Sequence, residues 1–213
     1  MPPRVPSAPA RHAGDKTATM DTFSYAIGLG IAQNLRSMGA SDISVDDFAQ
    51  ALRDLFEGRP LAMTHREAQQ IAQRRFRELQ AQAARVAQET GRRFLEENAK
   101  RPGVTTLPSG LQYEVITQGT GRRAKATDRV KCHYQGMLTD GTVFDSSISR
   151  GEPAVFGVGQ VIRGWVEALQ LMPEGSKWKL FIPHQLGYGA QGAGDSIPPY
   201  STLIFEVELL QVL

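Results

Sequence analysis

A two-part α+β fold is predicted by a change in hydrophobic period along the chain. Up to about residue 100, apolar side chains return every three or four positions, as on one face of a helix. Beyond that point they alternate, as on the two faces of a strand. Arg101-Pro102-Gly103 falls at the change and reads as the boundary. The pattern allows an N-terminal all-helical domain with a long connecting helix, then an antiparallel sheet wrapped around one short helix.

Residues 1–20 are rich in Pro, Ala and Arg and read as a disordered leader. They contain no apolar run of signal-peptide length, and the later AIGLGIA (26–32) is too short to span a bilayer. A cytoplasmic protein with no membrane partner is the expectation. From Thr22, Phe23, Ile27, Ile31 and Leu35 recur on one helical face until Gly39-Ala40-Ser41 breaks it. Ser44 with Asp47 opens a second helix, whose Phe48, Ala51, Leu52 and Leu55 form a stripe before Gly58. Together these make a helical domain over 21–63.

Thr64 with Glu67 caps a third helix, and neither proline nor glycine interrupts it before Gly91. Continuous to Lys100, this connecting helix over 64–101 would be on the order of 54 Å long. Its second half carries few apolar residues among Gln, Arg and Glu and reads as a solvated rod. Two short helices offer little surface to cover the Phe23/Ile27/Ile31 face, and apolar units this small need oligomerisation to be stable. A homodimer through the N-terminal helices follows as the expectation.

From 102 to 213, LQYEVIT (111–117), RVKCHYQGML (129–138), TVFDSS (142–147), KWKLFIP (177–183) and TLIFEVELLQVL (202–213) read as strands. Asp140-Gly141 is a hairpin signal between two of them. One helix, about 162–171, places Trp165, Ala168, Leu169 and Met172 on a common face. Tyr134, Phe144, Val161, Ile162 and Trp165 thereby gather around one carboxylate, Asp145. An apolar recess with one or two polar groups is the usual form of a small-ligand site.

Other chemistries find little support. The net charge of +2 is spread evenly and forms no basic block, which argues against nucleic acid. Cys132 stands alone and histidines 12, 65, 133 and 184 are scattered, so no metal site is expected. No G-x-S-x-G occurs, and Cys132 and His133, adjacent on a strand, point to opposite faces. GLG (28–30), GTG (119–121) and GAQGAG (189–194) lack the strand–glycine–helix context of a phosphate loop. No cofactor is expected.

The ordered blocks HYQGML, DGTVFDSS, VIRGW, LGYGAQG and IPPYSTLIFEVELL closely resemble the FKBP-type peptidyl-prolyl cis–trans isomerases over about 104–213. The N-terminal half is similar to the helical extension of Mip-like, two-domain bacterial FKBPs. The resemblance implies catalytic roles for Tyr134, Phe144, Asp145, Tyr188 and Phe205. It implies substrate contacts from Arg150, Phe156, Val161, Ile162, Trp165 and Ile197, with Trp165 as the floor under a proline ring. Proline-containing unfolded or partly folded chains would be the partners, and macrolides of the tacrolimus or rapamycin type would fit such a site. Ala154 stands where many FKBPs carry an aromatic, and would open one wall. Two other readings remain: a dimeric holdase chaperone, or an adaptor whose FKBP-like pocket binds without catalysing.

Overall fold

The computed structural model describes residues 20–213, so the expected leader lies outside them except for Met20. Two compact units separate: the described residues up to His65, and Arg66–Leu213.

The first unit is a pair of helices. Helix α1 (Thr22–Ser37) starts where Asp21 Oδ2 accepts from the Ser24 N–H at 2.8 Å. It stops at Gly39, whose φ of 80° allows the Gly39 and Ala40 N–H groups to close on Arg36 and Leu35 carbonyls. Helix α2 (Val45–Phe56) starts where Ser44 Oγ accepts from the Asp47 N–H at 3.3 Å. Neither helix buries a single residue. Phe23 is 73%, Val45 76% and Phe56 80% exposed. Ile31, Leu35, Ile43 and Phe48 line an open apolar groove of about 410 Å³.

The second unit begins with helix α3 (His65–Asn98), 34 residues long. Its second half is not the solvated rod that the sequence suggests. Gly91 and Asn98 are buried against the sheet, and Phe94 and Leu95 are half-buried. Phe94 packs on Phe181 at 6.1 Å between ring centroids, and the Arg101 guanidinium lies 5.8 Å over the same ring. Arg101 also pairs with Glu114 at 2.9 Å. The outward face is laced by Arg92 with Glu89 and Glu96, exposed pairs that add little stability.

The sheet is antiparallel throughout. Its strands are β1 (Val104–Thr106), β2 (Gln112–Thr117), β3 (Arg129–Leu138), β4 (Val143–Ser146), β5 (Ala154–Gly157), β6 (Lys177–Ile182) and β7 (Leu203–Val212). Their order is β1-β2-β6-β7-β3-β4, with β5 also paired to β3. Strand β3 buries Val130, Cys132 and Tyr134 in strict alternation, which is why its bounds could be read from the pattern. Gly141, at φ 87°, makes the turn into β4. The single expected helix is α5 (Arg163–Leu171), which lays Trp165, Ala168 and Leu169 on the sheet. A helical turn, α4 (Ser147–Arg150), and two 3-10 turns lie in the connections between strands. Leu111, Leu169, Met172, Leu180, Ile182 and Leu203 are wholly buried around α5. Each such side chain contributes roughly 1.5–3 kcal/mol by leaving water.

Candidate active site

One end of this core opens into a cavity of about 490 Å³. Trp165, on the first turn of α5, forms its base and is 3% exposed. Tyr134 and Phe205 stand edge-on to the indole at 5.4 and 5.3 Å, and Phe156 of β5 does so at 5.5 Å. Phe144 of β4 meets Phe205 edge-on at 5.5 Å. Such edge-to-face pairs hold ring orientations more firmly than burial alone would.

Gly136 makes this packing feasible. It lies opposite Phe205 on β7 and Asp145 on β4. A Cβ there would come within 2.6 Å of both the Phe144 and the Phe205 rings. The missing side chain therefore lets two rings close over the β3 backbone.

The polar edge is built from β3, β4 and α4. Tyr134 Oη donates to Asp145 Oδ2 at 2.5 Å, Arg150 donates to Asp145 Oδ1, and Arg150 Nη2 donates to Tyr134 Oη at 2.8 Å. Partial burial pushes the Asp145 carboxyl pKa up, but these hydrogen bonds outweigh it and hold the pKa below the ordinary value. Burial, then the bond to Asp145, raises Tyr134. Burial, then the Asp145 charge, raises Tyr188. The Tyr188 hydroxyl has no partner among the described residues, and its side chain stands at the cavity mouth, 40% exposed. At the start of α5, the Ile162 carbonyl accepts from the Trp165 and Val166 N–H groups, while the Ile162 N–H lies outside the helical ladder.

All the residues singled out from the sequence meet here. Tyr134, Phe144, Asp145, Phe156, Val161, Ile162, Trp165, Tyr188, Ile197 and Phe205 line the cavity, and Arg150 touches it through Asp145 and Tyr134. Ile197 is a buried wall residue of the cavity. Ala154 pairs with Cys132 between β3 and β5, packs on the core and does not itself line the cavity. Gln160, Ala193 and Ser196 line the cavity without having been foreseen. Gln160 directly precedes the VIRGW block, which offered a signal, whereas Ala193 and Ser196 sit in a glycine-rich loop of small residues. No cluster of three or more metal-ligating side chains occurs among the described residues.

Over residues 120–210 the chain matches the FKBP-type peptidyl-prolyl cis-trans isomerase family. Over 20–115 it matches the domain amino terminal to FKBP-type peptidyl-prolyl isomerase. It is 49% identical over 209 residues to the FKBP-type 22 kDa peptidyl-prolyl cis-trans isomerase of Escherichia coli (strain K12), spanning 92% of this chain and 99% of that one. This chain belongs to the FKBP-type peptidyl-prolyl cis–trans isomerases. It is 39% identical over 211 residues to the peptidyl-prolyl cis-trans isomerase Mip of Coxiella burnetii, covering 94% of this chain and 90% of that one. The crystal structure of FkpA from Escherichia coli superposes with a TM-score of 0.74 at 34% identity, over 89% of this chain and 94% of that one. The protein is thus an isomerase of the Mip and FkpA type that assists folding by interconverting X-Pro bonds, and it binds proline-containing peptides. Among the described residues no helix is long and apolar enough to cross a membrane.

Proposed function

We propose that the cavity over Trp165 is where this FKBP-type isomerase twists the X-Pro bond of unfolded or partly folded chains. One observation carries the reading: aromatic rings and a charged Asp145 converge on a single apolar recess, with Asp145 held in place by Tyr134 and Arg150. Amide resonance makes the uncatalysed exchange slow, taking tens to hundreds of seconds. Twisting removes that resonance and its charge separation, so an apolar cavity disfavours the planar forms relative to the twisted one. No bond is made or broken, and no acid, base or metal is needed.

In this reading the proline ring sits on Trp165 between Phe144, Phe156, Val161 and Phe205. The Ile162 N–H and the Tyr188 hydroxyl donate to substrate carbonyls on either side of the proline. Ile197 closes the far wall. Asp145 stays ionised beside the rotating carbonyl. The same recess would take macrolides of the tacrolimus or rapamycin type.

The first unit would serve as a dimerisation surface for a second copy of the chain. Two helices that bury no residue of their own cannot hold an apolar groove open to water, and residues 20–115 match a domain that precedes FKBP isomerases. Two cavities on one dimer would engage one long client twice, the second time intramolecularly.

A protease-coupled assay on a proline tetrapeptide tests the site. Phe144→Ala and Asp145→Ala should each lower turnover at least about tenfold while leaving the fold intact, a loss on the scale of one transition-state interaction. Wild-type rates from both folded variants would place catalysis elsewhere.

A further inference from the structure

We propose that Gly91 of α3 is a positioning residue for the isomerase cavity, acting through Thr202 and the segment that runs from it to Ile197. The proposal rests on the reading of that cavity as the catalytic site.

Glycine is a poor helix residue, yet Gly91 sits inside α3 and is buried. A Cβ at this position would overlap Thr202 Oγ1 and would lie 3.4 Å from Thr202 Cβ. The helix backbone therefore rests directly on Thr202, which is itself 6% exposed. Ala87, Thr90 and Gly91 form one side of a narrow cleft whose other side is Pro198–Thr202 and the Leu138–Asp140 turn.

The segment beyond that contact has few soft torsions. Pro198 and Pro199 fix two φ angles in succession. Tyr200 is held at φ 60°, a left-handed conformation that a non-glycine residue keeps only when its surroundings enforce it. The enforcing contacts are the Tyr200 N–H to the Gly189 carbonyl at 2.8 Å and the ring set edge-on to His184 at 5.2 Å. Ser201 Oγ donates back to the Pro198 carbonyl at 2.7 Å. At the far end, Ile197 and Ala193 exchange backbone hydrogen bonds of 2.9 and 3.1 Å, and both line the cavity. On its other side Thr202 runs straight into β7, which carries Phe205. A displacement of Thr202 is thus passed to Ile197 and Ala193 or to Phe205, and each is a wall of the cavity.

The test uses the full chain and tetrapeptide turnover, with Phe144→Ala measured alongside. Gly91→Ala should lower kcat/KM about tenfold, the scale expected when a distant change misplaces a site by a fraction of an ångström. Ile197 and Ala193 amide resonances should shift with it. Thr202→Ala alone sets the reference rate for the pair, because without Oγ1 a Cβ at position 91 meets only an ordinary contact. The Gly91→Ala/Thr202→Ala pair should recover most of the lost activity, which a merely structural defect in the helix would not do. A folded Gly91→Ala protein with the wild-type rate would overturn the proposal, since Thr202 would then have rotated to absorb the methyl. So would a loss that Thr202→Ala fails to rescue. Should Gly91→Ala not fold, Thr202→Leu enlarges the same contact from the other side; an unchanged rate there overturns the proposal equally. If Phe144→Ala keeps its rate, the cavity reading is what fails. If only Gly91→Ala and Thr202→Leu keep theirs, the positioning role alone is lost.

Discussion

Asn98, on the last turn of α3, donates from Nδ2 to the Gln112 side-chain oxygen of β2 at 2.8 Å, and both side chains are buried. Gln112 returns the link, donating to the Leu95 carbonyl at 2.9 Å. With Phe94 on Phe181, this clamp makes the end of α3 part of the isomerase body. Asn98→Ala should destabilise that body by about 1–3 kcal/mol, because it leaves a buried acceptor unpaired. A chain starting at Gly103 would also uncover Phe181, and should melt below one starting near residue 84. Thermal unfolding of these three proteins beside the wild type checks both comparisons.

The groove between α1 and α2 should be filled by a second copy. Sedimentation of the full chain should give a dimer, and Ile31→Asp should give a monomer with nearly unchanged tetrapeptide turnover. The monomer should refold a proline-limited protein more slowly, because it loses the second, intramolecular contact. A monomeric wild-type chain would remove the two-site account while leaving the isomerase assignment in place.

Cys132 is wholly buried behind β5, and burial pushes its thiol up to about 12. It should resist iodoacetamide at pH about 8 until the protein unfolds, since the thiolate is the reactive form. Cys132→Ala should leave turnover within a few-fold. Rapid labelling of the native protein would show that the strand pair opens.

The hydrogen bonds from Tyr134 and Arg150 hold the Asp145 pKa below its ordinary value despite partial burial. With the folded pKa depressed, the stability this carboxylate contributes is complete above the unfolded value of about 3.9 and is lost as pH falls through the folded one. Solvent exposure of the pair keeps the effect small. Unfolding midpoints between about pH 3 and 7 should fall on the acid side for the wild type, and less steeply for Asp145→Asn. Equal slopes would mean that the triad is not formed in solution.

A strand was legible in the sequence where it was long enough to alternate or, like the four-residue β4, stood behind a clear turn signal at Asp140-Gly141. Strands β3 and β7 each show the period over ten residues, whereas β1 and β5 are too short to show any. The docking of α3 was hidden for a different reason. Its contacts run through Gly91 and Asn98, a helix breaker and a polar residue, to Thr202 and Gln112, which are distant in sequence. No local period records such a contact. In the cavity, Tyr134, Phe144 and Trp165 could be gathered from type and spacing, whereas Phe156, Tyr188 and Phe205 were singled out through the family resemblance. Ala193 and Ser196 line it through loop geometry, which their own chemistry does not reveal.

The central claim is that the cavity binds the twisted amide better than either planar form. Exchange NMR on a proline tetrapeptide, run with the wild type and Phe144→Ala, measures binding and catalysed exchange in one experiment. Removing a wall that acts on the twisted amide should slow exchange of the bound peptide at least about tenfold while changing its affinity little. Weakened binding with an unchanged exchange rate on the bound peptide would contradict the claim, because Phe144 would then hold the substrate without favouring its rotation.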